Sequence, residues 1–291
     1  MASKFPQKVK NLLELKDKYK AFFFDMDGVY WNGSQKIQNA IDTYQQLKKE
    51  GKQCFFITNN SSRSRKTYVE KLRALGVETE EEKVFAASSI AAYYIKNNLP
   101  NVKKCYVVGM KGICEELTNY GIDYIWSNEH HQQSKEMTAD EFENLKLDSE
   151  VGAVVVGINY EFNYTMMAYA SSYIQNGAKF IATNEDKYIM AGGKKMPGGG
   201  TIVNAIAIGS DTRPLVTGKP NSFVVDLLCN QYKINKSEAI MIGDNLDTDI
   251  ALGQNAGLDT LLVMTGVTDE NLLKKTVNEG LFVPTYYADS A

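Results

Sequence analysis

The chain has 291 residues, of which 44% are hydrophobic and 23% are charged, with 32 Lys plus Arg against 35 Asp plus Glu. These values are typical of a folded globular protein and exclude a disordered chain. The near-neutral charge, with no basic block, argues against nucleic-acid binding. No apolar run is long enough to span a bilayer, so we expect no membrane segment.

Cysteine usage and the N-terminal residues indicate the compartment. The first residues, MASKFPQKVKNLLELKDKYK, lack the apolar region of a signal peptide, and we expect a docked helix over residues 8–20. Four cysteines are scattered singly, and two of them, Cys54 and Cys105, lie inside apolar runs. Such cysteines are usually small core residues, so we expect free thiols and a cytoplasmic protein.

Short apolar runs punctuate the chain and predict buried strands. Apolar residues on consecutive positions are typical of strands that are covered on both faces of a parallel sheet. The predicted strands are Ala21–Asp25, Gln53–Thr58, Cys105–Gly109, Ala153–Gly157, Lys179–Ala182, Pro214–Thr217, Ala239–Gly243 and Thr260–Met264.

Amphipathic stretches between these runs predict helices. The predicted helices are Ile37–Lys49, Arg65–Leu75, Ile113–Tyr120, Phe223–Tyr232 and Asp249–Ala256. Alternation of strands and helices indicates a doubly wound α/β fold. The polar stretch 127–148 is expected to be loop with short helices, and residues 192–200 are expected to form a flexible loop that leads into a helix.

Two aspartates follow the first predicted strand. Asp25 and Asp27 come after three consecutive phenylalanines and precede Gly28. One such carboxylate can attack phosphorus as a nucleophile, and the other can act as general acid and then as general base. The alternative is a solvated turn, because Asp and Gly both favour turns.

Hydroxyl and amide side chains follow the second strand. The run Thr58-Asn59-Asn60-Ser61 stands at a strand end just before a helix, where side chains and backbone N–H groups can cradle an anion. An ordinary helix N-cap explains the same residues, since Ser and Asn are preferred there.

A lysine and a cluster of acids follow two later strands. Lys219, in Gly218-Lys219-Pro220, could neutralise phosphate charge, although a loop lysine is usually only solvated. Asp244, Asp247 and Asp249 offer oxygen ligands of the kind that Mg²⁺ prefers, and the alternative is an acidic helix N-terminus. All these motifs are expected at the carboxyl edge of the sheet, where open α/β sheets bind ligands.

Taken together, the four motifs resemble those of the haloacid dehalogenase superfamily of phosphatases. The resemblance covers nearly the whole chain, and its long segment between the second and third motifs resembles a C2-type cap. It implies a Rossmann-like doubly wound parallel sheet formed by residues 1–85 and 213–291, with an inserted α/β cap domain at 86–212. Thr58-Asn59-Asn60-Ser61 points to the 4-nitrophenylphosphatase-like subfamily, which includes phosphoglycolate and pyridoxal phosphate phosphatases.

The resemblance also implies a role for each motif residue. Asp25 would be the nucleophile that forms an aspartyl-phosphate, and Asp27 the general acid and base. Mg²⁺ would be held by Asp25, the main-chain carbonyl of Asp27 and Asp244, while Asp249 would orient Lys219 or the waters of the metal. The residues expected to bind the phosphoryl oxygens are Thr58, Asn59, Asn60 and Lys219.

The expected activity is Mg²⁺-dependent hydrolysis of small phosphate monoesters, such as 4-nitrophenyl phosphate and 2-phosphoglycolate-like metabolites. Pyridoxal phosphate phosphatases resemble this chain but carry a His near the position of Ile189, and relatives commonly carry Asp at the position of Asn159. The remaining alternatives are a pyridoxal phosphate phosphatase, a catalytically silent binding protein on the same fold, and a phosphotransferase. Relatives also suggest a homodimer formed through the cap.

Overall fold

The computed structural model describes residues 5–131, 137–191 and 193–291. Strands in the described ranges are β1 (Gln7–Lys8), β2 (Ala21–Phe24), β3 (Trp31–Asn32), β4 (Gln35–Lys36), β5 (Gln53–Thr58), β6 (Val84–Ala86), β7 (Lys104–Val108), β8 (Asp123–Trp126), β9 (Val151–Val156), β10 (Lys179–Ala182), β11 (Tyr188–Ala191), β12 (Lys194–Pro197), β13 (Leu215–Val216), β14 (Ala239–Gly243), β15 (Asp259–Val263) and β16 (Tyr286–Ala288).

Helices connect most of these strands. The α-helices of the described ranges are α1 (Gln38–Lys49), α2 (Arg65–Ala74), α3 (Ala87–Asn98), α4 (Lys111–Asn119), α5 (Ser127–His130), α6 (Ala139–Glu143), α7 (Tyr164–Gln175), α8 (Gly199–Ser210), α9 (Phe223–Tyr232), α10 (Ala251–Ala256) and α11 (Glu270–Glu279). Short 3₁₀ turns cover Leu12–Leu15, Glu81–Lys83 and Lys236–Glu238, and a π-helical turn covers Leu246–Ile250.

The chain divides into two compact units. The first, here called the core unit, comprises Met1–Thr58, Lys66–Phe85 and Lys219–Ala291. The second, here called the inserted unit, comprises Asn59–Arg65 and Ala86–Gly218. The sequence predicted an insertion at 86–212, whereas the compact unit also takes in Asn59–Arg65 and continues to Gly218.

The main sheet of the core unit has the order β1-β16-β15-β14-β2-β5-β6 within the described residues. The pairs from β1 through β5 are parallel. Phe22, Phe23 and Phe24 of the central strand β2 have no exposed surface, although neighbouring residues of a strand point to opposite faces. The prediction of strands covered on both faces is confirmed here.

The inserted unit has its own parallel sheet, in the order β13-β10-β9-β7-β8. Alternate residues of its strands enter two different hydrophobic clusters. Tyr106 and Val154 belong to one cluster with residues of α7 and α8, and Cys105 and Ala153 to another with residues of α3 and α4. The predicted α/β fold of Rossmann-like type is therefore confirmed.

Two local predictions differ from the structure. Residues 8–20 do not form a helix: Asn11 caps the 3₁₀ turn Leu12–Leu15, and β1 pairs with β16. In the predicted loop 192–200, Lys194–Pro197 form a strand paired with β11, while Gly192 lies outside the described residues. A paired strand was hidden because Lys-Lys-Met-Pro shows no apolar alternation. The expected helix entry is confirmed at Gly199.

Several further expectations can be compared with the structure. The stretch 127–148 contains α5 and α6, and its residues 132–136 lie outside the described ranges. All four cysteines are buried and free, as predicted. Among the described residues, no helix combines the length and apolar character needed to cross a membrane.

Candidate active site

The carboxyl edge of the core sheet gathers charged side chains from three chain segments. Asp25 follows β2 and Asp244 follows β14, the two strands being paired side by side. Asp249 lies in the π-helical turn after β14, and Lys219 opens the last segment of the core unit. All four side chains are at least 92% buried.

Lys219 lies between two of the aspartates. Its Nζ donates to Asp25 Oδ1 at 2.5 Å, to Asp249 Oδ1 at 2.7 Å and to the carbonyl of Ile57 at 3.2 Å. Asp249 Oδ2 accepts the backbone N–H of Asn245 at 3.1 Å. Both carboxylate oxygens of Asp249 therefore accept hydrogen bonds. In Asp25, the oxygen that Lys219 contacts is Oδ1.

Asp244 is held by the loop that follows β15. The backbone N–H of Val267 donates to Asp244 Oδ2 at 2.6 Å. Two glycines make this contact possible, because a Cβ at Gly266 would lie 1.8 Å, and at Gly28 2.4 Å, from the same oxygen. Gly28 also has a φ of +81°, which side chains rarely adopt. The loop fixes Oδ2, and Oδ1 is the oxygen that remains for a ligand.

Charge and burial shift the pKa values of these groups. Burial raises the pKa of Asp25 well above its usual range; Lys219 opposes the shift, and Asp249 and Asp244 add to it. Burial and the charge of Asp249 raise the pKa of Asp244 to about 7. Burial alone would lower the pKa of Lys219, but Asp249 and Asp25 outweigh it, so that the pKa is raised and the ammonium stays charged.

These residues form a group that could hold a metal ion. Carboxylate oxygens of Asp25, Asp244 and Asp249 lie within 4.8 Å of one another. The group holds three buried carboxylates and one ammonium, so negative charge is in excess, and this excess adds to the effect of burial on the pKa values of Asp25 and Asp244. A divalent cation with a preference for oxygen ligands fits both the donor atoms and the charge.

Comparisons with known proteins identify the family of this chain. A family model of haloacid dehalogenase-like hydrolases matches residues 22–123, and a second model of this kind matches residues 216–290. Phosphoglycolate phosphatase 1A of Arabidopsis thaliana is 39% identical over 285 residues, which cover 97% of this chain and 78% of the relative. The protein belongs to the haloacid dehalogenase-like (HAD) hydrolases.

Two further relatives cover nearly the whole HAD hydrolase. The 4-nitrophenylphosphatase of Schizosaccharomyces pombe is 33% identical, over 97% of this chain and 95% of the relative. The structure of a p-nitrophenyl phosphatase from Archaeoglobus fulgidus superposes with a TM-score of 0.80 at 29% identity, over 94% of this chain and 97% of that one. The protein is accordingly a phosphoric monoester hydrolase of this superfamily.

Asp27 occupies a different environment from the other aspartates of this HAD hydrolase. Its side chain is exposed, and its Oδ1 accepts the indole N–H of Trp31 at 2.6 Å. Asp27 lies near enough to Asp25 for its charge to raise the pKa of Asp25. The structure thus separates an exposed carboxylate from a buried one within a span of three residues.

The predicted phosphate-binding residues are divided between the two units. Thr58 is the buried last residue of β5 in the core unit. In the inserted unit, Asn59 Nδ2 donates to Asp186 Oδ1 at 2.9 Å, and Asn60 Oδ1 accepts from the backbone N–H and the hydroxyl of Ser62. Both amide side chains therefore hold their own unit together, and the four-residue charged cluster does not include them.

Sequence reasoning missed the loop that supports the cluster. Thr265 donates its hydroxyl to the carbonyl of Gly28, and Asn32 Nδ2 donates to the carbonyl of Thr265. The available signal was Thr265-Gly266 directly after β15, because a glycine at a strand end often marks a close approach of the backbone. Trp31 was also missed, and its four-residue separation from Asp27 gave no recognisable pattern.

Proposed function

We propose that this protein is a Mg²⁺-dependent phosphatase that hydrolyses small phosphate monoesters through an aspartyl-phosphate on Asp25. The observation that carries the proposal is the Lys219 ammonium between Asp25 and Asp249, with a carboxylate oxygen of Asp244 within 4.8 Å of oxygens of both aspartates. A silent binding protein has no chemical need for a buried nucleophile, a charge-neutralising lysine and a metal ligand at one sheet edge. The intact set therefore favours catalysis.

The residues that would hold Mg²⁺ are Asp25, Asp244 and the main-chain carbonyl of Asp27. When bound, the cation would offset the repulsion between the anionic nucleophile and the anionic phosphate. Lys219 would support the same task, because its fixed charge requires no reorganisation during the reaction. Asp249 keeps the ammonium in place through its 2.7 Å contact.

Two carboxylates then divide the chemistry. An oxygen of Asp25 forms a bond to phosphorus while the bond to the leaving oxygen breaks, and Asp27 donates a proton to that oxygen. Asp27 then takes a proton from water as the water oxygen attacks phosphorus, which releases phosphate and regenerates Asp25. Thr58 and Lys219 of the core unit would bind the phosphoryl oxygens, and the same role for Asn59 and Asn60 stays a prediction from the sequence.

The named relatives suggest substrates. We propose activity on 4-nitrophenyl phosphate and on a 2-phosphoglycolate-like metabolite, since relatives named for these substrates match almost the whole chain. Pyridoxal phosphate is the second candidate. Ile189, in β11 opposite Met196, offers no imidazole to stack on a pyridine ring, which favours the smaller substrates.

The buried free cysteines are consistent with a reducing, cytoplasmic location. The homodimer stays a prediction that light scattering can test.

A substrate panel tests the proposal. The kcat/KM values should be measured for 4-nitrophenyl phosphate, 2-phosphoglycolate and pyridoxal phosphate. The value for pyridoxal phosphate should be the lowest of the three. Chelator should abolish all three activities and Mg²⁺ should restore them. Ca²⁺ should not, because its larger and looser coordination shell displaces the nucleophile. Full activity in excess chelator would contradict the metal assignment.

The covalent intermediate requires its own measurement. Quenching the enzyme with acid during turnover should trap one phosphoryl group per chain, removable by hydroxylamine as expected of an acyl phosphate. Peptide mass spectrometry should place it on the segment that contains Asp25. The Asp25→Asn variant should carry no label, and a label on another residue would contradict the mechanism.

A further inference from the structure

The turn that carries Asp27 is closed by Trp31. The backbone N–H of Gly28 donates to the carbonyl of Trp31 at 2.7 Å, and Asp27 and Trp31 form a β-bridge. The left-handed conformation of Gly28 turns the chain so that residues four apart come together. Trp31 is 3% exposed, although Asp27 beside it is exposed. A buried, fixed donor therefore meets an accessible carboxylate.

The indole contact distinguishes the two oxygens of Asp27. An indole N–H only donates hydrogen bonds, so Oδ1, at 2.6 Å from Trp31 Nε1, must act as an acceptor. A proton on the Asp27 carboxyl group therefore belongs on Oδ2. A hydrogen bond to a carboxylate is also stronger than a neutral one, so the contact restricts rotation of the carboxyl group.

A second charged group lies against the same ring. Lys71 Nζ, from α2, lies 3.4 Å from the centroid of the Trp31 ring. A cation over the face of an indole is attracted by the ring quadrupole, and the attraction is greatest for tryptophan. The ammonium helps to hold the ring in place, and its field withdraws electron density from the indole, which strengthens the N–H as a donor.

We propose that Trp31, supported by Lys71, is a positioning residue that presents Oδ2 of Asp27 as the oxygen that delivers and accepts the catalytic proton. The proposal rests on the proposed role of Asp27 as general acid and base. Trp31 itself exchanges no proton and touches no reacting atom. Its contribution is to remove the alternative orientation in which the proton-bearing oxygen turns away from the leaving group.

A pair of substrates that differ in leaving group tests this role. Phenyl phosphate and 4-nitrophenyl phosphate have the same ring, but phenolate needs protonation on departure far more than nitrophenolate does. Trp31→Phe keeps an aromatic ring and removes the N–H. It should lower kcat/KM by about 10-fold for phenyl phosphate and by less than about 3-fold for 4-nitrophenyl phosphate. A merely structural role would lower both values equally.

The chain offers a matched control, because its other tryptophan also donates a hydrogen bond. Trp126 Nε1, in the inserted unit, donates to the carbonyl of Gly109 at 2.8 Å. Trp126→Phe removes a comparable bond and should leave the ratio of the two kcat/KM values unchanged. Lys71→Met keeps the indole and should change the ratio in the same direction as Trp31→Phe, by about 2-fold.

Asp27→Asn separates the two levels of inference. If Asp27→Asn leaves the substrate ratio unchanged, Asp27 is not the acid and both the proposed role and its positioning are overturned. If Asp27→Asn changes the ratio but Trp31→Phe does not, only the positioning proposal is overturned. If Trp31→Phe does not fold, an unchanged substrate ratio in Lys71→Met overturns the positioning proposal instead. In the double variant of Asp27→Asn with Trp31→Phe, the ratio should change no further than in Asp27→Asn alone.

Discussion

The two parallel sheets of this protein end in very different chemistry. At the carboxyl edge of the core sheet, Lys219 bonds to Asp25 and Asp249, and an oxygen of Asp244 lies within 4.8 Å of oxygens of both. At the carboxyl edge of the inserted unit's sheet, the buried polar residues that the structure describes are neutral. The neutral residues include Asn128 after β8, Asn159 after β9, Thr183 and Asn184 after β10, and Ser61 from the segment Asn59–Arg65.

At this second edge, called the neutral edge below, the polar side chains form hydrogen bonds with one another. Asn128 and Asn159 exchange amide hydrogen bonds of 3.2 and 2.7 Å. The Thr183 hydroxyl lies 3.1 Å from the Ser61 hydroxyl and 2.9 Å from Asn184 Oδ1. The charged edge instead keeps surplus negative charge. The same architecture thus gives a closed structural network in one unit and a site that favours a cation in the other.

The largest expected effect comes from removing the nucleophile at the charged edge. Asp25→Asn should lower kcat by at least roughly 10⁴-fold, because the amide is nearly isosteric but cannot form the acyl phosphate. The thermal midpoint should not fall, since the variant removes a buried charge and leaves Lys219 paired with Asp249. As a control at the neutral edge, Asn128→Ala should keep kcat within a few-fold. Near-normal turnover by Asp25→Asn would show that the charged edge is no more important for catalysis than the neutral one.

Removing the single cation of the charged cluster should affect both activity and folding. Lys219→Met should lower kcat by about 10²–10³-fold, because a fixed positive charge near the phosphate is lost. Stability should fall by about 3–5 kcal/mol, as is typical when one partner of a buried ion pair is removed. Urea unfolding with and without Mg²⁺ measures this, and Mg²⁺ should recover part of the loss. Unchanged stability would show that the carboxylates do not depend on Lys219.

A smaller effect is expected when charge is placed at the neutral edge. Asn159→Asp removes the amide that donates to Asn128 Oδ1 and adds a buried carboxylate. We expect a loss of about 1–3 kcal/mol in the free energy of unfolding at pH 8, and a smaller loss at pH 5, where the new group is more readily protonated. Equal stability of the variant and the parent at both pH values would mean that this edge tolerates charge.

The smallest expected effect is the pH dependence of stabilisation by Mg²⁺. The pKa of Asp244 is about 7 in the metal-free fold, against roughly 4 in an unfolded chain. Between these pH values the folded state binds more protons, so this group's contribution to stability is present below about pH 4 and is lost as pH rises through 7. Mg²⁺ competes with that proton, because its ligands must be ionised.

The rise in thermal midpoint caused by Mg²⁺ should therefore increase from pH 5.5 to pH 8, by a few degrees in total. Differential scanning fluorimetry across that range measures it. Asp244→Asn should abolish both the rise and its pH dependence. If the rise in thermal midpoint of the parent protein does not depend on pH, Mg²⁺ does not compete with a proton on Asp244.

Much of the core unit could be predicted from local sequence. The runs at Gln53–Thr58 and Ala239–Gly243 match β5 and β14 at both ends, because residues buried on both faces of a parallel sheet must be apolar without interruption. Helix α3 and strand β16 were not predicted. Helix α3 has seven buried residues and little contrast between its faces, and β16 is only three residues long, so neither gives a clear periodic signal.

The sequence by itself determined that Asp25, Asp27 and Asp244 follow buried strands, and therefore that these acids meet at one sheet edge. It did so because the carboxyl ends of parallel strands necessarily lie together. Only the tertiary structure decided how these groups are divided. It buried Asp25 and exposed Asp27, and it brought Lys219 among the acids although the strand before it, β13, belongs to the inserted unit's sheet. It also brought Val267 and Trp31 to the aspartates through backbone turns. Such contacts depend on loop geometry and on glycines that admit a close approach, and no local pattern of residues encodes them.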